Sequence, residues 1–250
     1  MIKLSNLHYS YGDKEILKGL DLEIAKGRFC AVMGANGCGK STLLKCIAGL
    51  NTAKGGRISL DGKDLAAYST RELAQQLSLV QQQSHTDMEF SAFEIVLMGR
   101  NPYQKRLQNE SEQDWKIVEE CMKMTNTWGL RFSKPHEMSG GELQRVMIAR
   151  ALAQKTPVML LDEPTSNLDI AHQMEIMQLL CDINANERKT ILIVVHDMNL
   201  AYHYCQELLL LKSGKALYYG PMEEGLTPER IKEVFGVEAE IYQKNIFFRK

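Results

Sequence analysis

The first residues able to do chemistry are GANGCGKST, Gly34 to Thr42, a lysine and two hydroxyls at the end of a glycine-rich turn. Gly34, four residues, then Gly39-Lys40-Ser41 is the spacing of a phosphate-binding loop. An apolar run, Phe29–Met33, leads in and a helix-forming run, Thr42–Leu50, leads out, which is the strand-to-helix setting such a loop requires. Gly34, Gly37 and Gly39 leave backbone N–H groups free to surround phosphate oxygens, with Asn36, Cys38 and Thr42 in the same wrap and the helix's positive end behind them. Lys40 would reach the β- and γ-phosphates, and the Ser41 hydroxyl would sit on Mg²⁺. The expected ligand is a nucleoside triphosphate with its magnesium ion.

Two further groups extend that chemistry. VMLLDE, Val158 to Glu163, is a buried-strand signal ending in two carboxylates. Asp162 would hold Mg²⁺ through the metal's water shell, and Glu163 would polarise an attacking water. Two solvated acids capping a strand would read the same way in isolation; the phosphate loop upstream decides against that. SGGEL, Ser139 to Leu143, offers a second anion site at a helix N-terminus. One chain rarely needs two such sites for one triphosphate.

The elements that must position these residues alternate in type. Ile2–Tyr9, Leu20–Ile24, Arg28–Met33 and Arg57–Leu60 read as strands. Ser91–Arg100 and Glu112–Met124 carry apolar residues at helical spacing, with a polar loop over Asn101–Ser111 between them. Ser139–Gln154 reads as a strongly amphipathic helix. Pro157–Leu161 and Thr190–Val195 read as buried strands flanking a helix over Ile170–Ile183, the alternation of a parallel α/β sheet. Leu208–Lys212 and Ala216–Tyr219 pair around Ser213-Gly214, and a short helix comes next over Thr227–Phe235.

Bulk properties narrow the function classes. Thirty basic residues against 31 acidic ones give a net charge of −1, no support for a nucleic-acid partner. No apolar run approaches the ~18 residues of a membrane span. The N-terminus lacks a secretory signal's apolar core, so a cytoplasmic protein is expected. Cys30, Cys38, Cys46, Cys121, Cys181 and Cys205 show neither disulfide nor zinc spacing and read as reduced thiols. Cys38 lies inside the phosphate loop, where backbone donors and Lys40 are expected to lower its pKa.

GANGCGKST, MSGGELQRV, LLDEPTSNLD and VVHDMNL, in that order and spacing, resemble the nucleotide-binding subunit of an ATP-binding cassette (ABC) transporter over nearly the whole chain. The resemblance implies a P-loop NTPase (RecA-like) α/β core with an N-terminal antiparallel β subdomain and an inserted α-helical subdomain. One domain would span 1–250, with the helical insertion at about 85–155 and a tail at about 221–250. The cofactors implied are ATP and Mg²⁺. Two copies would pack head-to-tail, so that Ser139, Gly140 and Gly141 of one complete the γ-phosphate site of the other. Ser166–Asp169 would cross that interface, His196 would contact the γ-phosphate, and Tyr11 would stack on adenine, although Tyr9 lies two residues away. Gln82 matches the loop glutamine that contacts Mg²⁺ or water and communicates with the membrane partner. Gln81 stands where the family commonly has proline, which leaves Gln81, Gln82 and Gln83 to choose from; spacing favours Gln82. Met138 replaces the usual leucine ahead of the signature, a volume-conserving exchange.

FEIVLMGRNPY (Phe93–Tyr103) and LTPERIKEVFGVEAEI (Leu226–Ile241) are similar to the ATPases of iron–siderophore, haem and cobalamin importers. Importers of molybdate, manganese or zinc are near relatives, and a non-transport ATPase of iron–sulfur assembly is the alternative. An importer implies two transmembrane permease subunits, an extracytoplasmic substrate-binding protein, and a peripheral place on the cytoplasmic face of the membrane.

Overall fold

Alternating apolar residues make the N-terminal hairpin. In the computed structural model, which describes residues 1–81, 89–104 and 110–249, β1 (Ile2–Tyr11) pairs antiparallel with β2 (Lys14–Ile24). Ile2, Leu4, Leu7 and Tyr9 face inward on one strand, and Leu17, Leu20, Leu22 and Ile24 on the other. The step from Leu4 to Leu7 skips one residue because Asn6 takes a left-handed φ of 47° and bulges. Gly19, with a φ of 70°, does the same opposite it. Both strands are therefore longer than their alternation announces.

The phosphate loop leaves β3 (Phe29–Gly34) and enters α1 (Lys40–Ile47). β4 (Gly55–Leu60) and β5 (Lys63–Asp64) complete an antiparallel sheet in the order β2-β1-β4-β5. A short helix, α2 (Thr70–Leu73), precedes β6 (Leu77–Val80). Among the described residues three α-helices come next in the chain: α3 (Ala92–Leu97), α4 (Glu112–Met124) and α5 (Gly140–Ala153). Ser91, Ser111 and Ser139 each start one through a reciprocal capping box with the acid three residues on. The sheet resumes with β7 (Val158–Asp162), α6 (Ile170–Glu187), β8 (Thr190–Val194), α7 (Met198–Tyr204), β9 (Glu207–Lys212) and β10 (Lys215–Pro221). The chain then runs through α8 (Met222–Gly225), α9 (Pro228–Phe235) and a hairpin of β11 (Glu238–Tyr242) with β12 (Asn245–Arg249).

The main sheet has the order β10-β9-β3-β8-β7-β6, parallel except for β10. Its two faces split the core by strand parity. Phe29, Ala31, Met33, Leu161 and Ile193 join the helices α3 to α7, whereas Cys30, Val32, Leu160 and Val194 join α1 and the antiparallel sheet. Each fully buried Leu or Ile contributes about 1.5–3 kcal/mol, so these two layers hold the loop's strand rigidly. The fold is the α/β phosphate-loop architecture expected. One expectation fails: the helix after SGGEL is not amphipathic. From Gly141 to Gln154 no residue of α5 or its cap is exposed, because α3, α4, α6 and β6 pack around it.

Candidate active site

β3, β8 and β7 are neighbours in register, Val32 against Val194 and Asp162 against Val194, so the loops after these strands emerge at one edge of the sheet. That edge is where open parallel sheets bind ligands. Gly34 ends β3 against β9, where a Cβ would sit 2.3 Å from the Leu211 carbonyl oxygen; only glycine fits. Asn36 and Gly37 are exposed, Cys38 is buried, and Gly39 caps α1 in a left-handed conformation with a φ of 110°. Lys40 is 5% exposed, and its ammonium donates to the Gly34 and Ala35 carbonyl oxygens at 2.9 and 3.3 Å. Ser41 and Thr42, on the first turn of α1, are half-buried.

The Ser41 hydroxyl donates to Asp162 Oδ1 at 2.8 Å. Burial pushes the Asp162 carboxyl above its ordinary pKa; the Ser41 hydrogen bond and the charges of Lys45 and Lys40 pull it down, and Glu163 adds to the rise. A hydroxyl and a buried carboxylate form an all-oxygen donor set suited to a hard cation. Glu163 comes next with a left-handed φ of 51°, and its Oε1 lies 2.6 Å from His196 Nε2. These residues, far apart in sequence, thus converge beside the phosphate loop.

Cys38 corrects an expectation. Burial raises its thiol pKa and outweighs Lys40 and the backbone donors, so it is not an activated nucleophile. Tyr11 is exposed at the end of β1, edge-on to the buried Tyr9 at 4.9 Å between centroids, and its hydroxyl accepts from Asn51 Nδ2 at 3.2 Å. Tyr11, not Tyr9, is open to solvent. Gln82 and Gln83 lie outside the described residues; Gln81 is exposed after β6.

Ser139 and Gly140 are exposed at the start of α5 and Gly141 is buried there. Their close approaches run to the start of α6: Gly140 to Leu168, and Gly141 to the His172 ring. Asp169 caps α6, accepting from the His172 backbone N–H at 2.9 Å and meeting His172 Nδ1 at 2.8 Å. The sequence motifs gave no notice of His172 or its neighbour Gln173. A helix cap with a ring of suitable reach three residues later was the available signal.

A family profile described as ABC transporter matches residues 17–166. The chain belongs to the ABC transporter family. This ABC protein is 37% identical over 235 residues to the ferric enterobactin transport ATP-binding protein FepC of Escherichia coli (strain K12), covering 94% of this chain and 87% of that one. It is 36% identical over 240 residues to the iron(3+)-hydroxamate import ATP-binding protein FhuC of Bacillus subtilis (strain 168), covering 96% and 89%. A solved chain described as a metal-chelate type ABC transporter in an inward-facing conformation superposes with a TM-score of 0.84 at 28% identity, covering 99% and 95%. The ATP-binding cassette MJ0796, a dimer bound to ADP and Pi after hydrolysis, gives 0.76 at 33% identity, covering 89% and 99%. The expected family, fold and activity hold: this ABC protein is an ATP-binding subunit and an ATPase.

Proposed function

We propose that the chain powers an importer for an iron–siderophore or related chelate, haem or cobalamin included, as one of two identical ATPase subunits beneath a permease pair. The observation that carries the ATPase chemistry is the pairing of Ser41 with Asp162 and of Glu163 with His196 at one sheet edge. The uptake class is supported by the names of FepC and FhuC. In this reading one cassette spans 1–250, with the helical insertion at about 85–155 and a tail at about 221–250.

ATP enters with its phosphates in the Gly34–Thr42 loop and adenine on Tyr11. Ser41, Asp162 and Gln82 would hold Mg²⁺, which would supply charge neutralisation on the phosphate oxygens. The partner copy's signature turn, matching Ser139–Gly141, closes over the γ-phosphate, and Asp169 lies along the same interface. Glu163 orients water for in-line attack, and Lys40 with His196 stabilises the charge that develops. Loss of the γ-phosphate removes the bridge and the dimer opens.

A largely apolar cavity of about 670 Å³, its lining including Leu50, Ala53, Ile58, Leu65, Leu73 and Leu77, lies beside β6. It suits a coupling element of the permease. Among the described residues no helix is long and apolar enough to cross a membrane, in keeping with a peripheral subunit held at the cytoplasmic face by that permease. An extracytoplasmic binding protein would deliver the chelate.

Tagged chain recovered from detergent-solubilised native membranes should bring down a polytopic permease in stoichiometric amount. Recovery with soluble iron–sulfur assembly proteins instead would overturn the transport reading. Glu163→Gln should lower kcat by about 10²–10³-fold and trap a dimer in ATP, while His196→Ala should lose most turnover and keep ATP binding. Wild-type-like kcat in either would refute its role.

A further inference from the structure

We infer that His172 and Gln173, consecutive residues on the first turn of α6, are positioning residues that lock the Glu163–Asp169 loop to the signature turn. The inference rests on the proposed sandwich of two copies. The loop needs a lock. Glu163 and Asn167 both hold left-handed backbone, with φ of 51° and 63°, and neither is glycine. Such residues cost about 1–2 kcal/mol each and persist only where the surroundings over-determine them.

Gln173 supplies one side of that constraint. Its Nε2 donates to the Thr165 and Leu168 carbonyl oxygens at 3.2 and 3.0 Å, gripping the loop on both sides of Ser166-Asn167. Inside the grip, the Ser166 backbone N–H and hydroxyl both donate to the Glu163 carbonyl oxygen, at 3.1 and 2.8 Å. The peptide that aims the Glu163 side chain is thereby tied to α6. Both bonds of the Gln173 amide reach back along the chain, by five and eight residues.

His172 supplies the other side. Nδ1 holds Asp169 Oδ1 at 2.8 Å, and the opposite ring edge lies against Gly141, where a Cβ would come within 2.6 Å of Cδ2. The ring is a spacer between the start of α6 and the start of α5. Glycine at 141 is what lets the two helix ends approach so closely. One turn further, Arg145 of α5 and Glu175 of α6 pair at 2.9 Å and keep the two helices in step. The result is a continuous set of contacts from Ser139–Gly141 through His172 to Asp169, and through Gln173 to Glu163. A subunit whose signature turn engages its partner's γ-phosphate thus sets the loop beside its own Glu163.

The test uses the full-length chain. Gln173→Met keeps length and removes both donated bonds; His172→Ala removes the spacer; His172→Asn restores a donor where Nδ1 lies. Gln173→Met and His172→Ala should each lower kcat about tenfold, the size of a lost hydrogen bond or two, with the affinity of the monomer for a fluorescent ATP analogue unchanged. His172→Asn should recover most of the loss, which a purely packing role would not give. Placed in the Glu163→Gln background, Gln173→Met should raise the ATP concentration for half-dimerisation about tenfold, read by sedimentation. Values within twofold of the parent for both kcat and dimerisation would overturn the inference. If Glu163→Gln itself stays monomeric in saturating ATP, the sandwich reading falls, and the kcat of Gln173→Met still decides the locking role.

Discussion

Asp162 is a buried carboxylate held by the Ser41 hydroxyl and next in sequence to another acid. Burial raises its pKa in the fold above the unfolded value. The folded chain therefore holds that proton to higher pH than the unfolded chain does. Stability falls as pH rises through the interval between the two values, and the loss is complete above the folded one. Asp162→Asn removes the charge and keeps the shape. Without nucleotide it should melt higher than the parent, by about 2–4 °C for roughly 1 kcal/mol. With Mg²⁺ and ATP the order should reverse if Asp162 holds the metal as proposed, since the variant then loses that ligand and its share of ligand stabilisation. Calorimetry in both conditions checks this, and a lower melting point without nucleotide would count against it. The residues of the proposed site were legible at this scale because each proposed role needs a residue type in a fixed local pattern. Lys40, Ser41, Asp162, Glu163 and His196 all sit in such patterns, and the structure gathers them. Cys38 was misread because its local sequence shows the Lys40 charge and not the burial that outweighs it.

Between elements, the same competition runs the other way at Arg100 and Asp114. Burial would raise the Asp114 carboxyl, yet hydrogen bonds from Arg100 at 2.8 Å and from Ser111 hold it below its usual value. Arg100 also donates to the Ala153 carbonyl oxygen at the end of α5, so one guanidinium joins α4, α5 and the turn after α3. Arg100→Met should cost about 3 kcal/mol, because both Arg100 and Asp114 are largely buried and a charge is left behind. With a depressed folded pKa, the pair's contribution is present above the unfolded value near 3.8 and lost as pH falls through the folded one. Urea midpoints should therefore drop more steeply between neutral and acid pH in the parent than in the variant. A variant with the parent's midpoint would show the pair to be dispensable. Periodicity announced most elements but not their full extent. The bulges at Asn6 and Gly19 break the two-residue period and hid the first half of β2. The hairpin β11–β12 turns on Gln243 and Lys244, both left-handed, without the Asn-Gly pair that usually marks such a turn. α5 looked two-sided because periodicity cannot report neighbours arriving on its polar flank.

Across the whole molecule, the cysteines test how completely the two core layers close. Cys30, Cys38, Cys46, Cys121 and Cys205 are buried and Cys181 half-buried, and burial pushes every one of their thiols up, to about 12 for Cys46 and about 11 for Cys121 and Cys181. Iodoacetamide at neutral pH should leave the native chain unmodified for hours and label all six thiols once guanidinium unfolds it, as intact mass would show. Rapid native labelling of more than one site would mean that a layer opens on its own. The cavity of about 670 Å³ interrupts this closure beside β6, with a wall in which leucines and alanines outnumber polar groups such as Asn51 and Asp64. In a living cell that wall turns subunit supply into a matter of protein quality control. Copies made in excess of the proposed permease would carry an uncovered, largely apolar surface of the type chaperones and proteases select, so the lifetime of this chain should follow the abundance of whatever covers it.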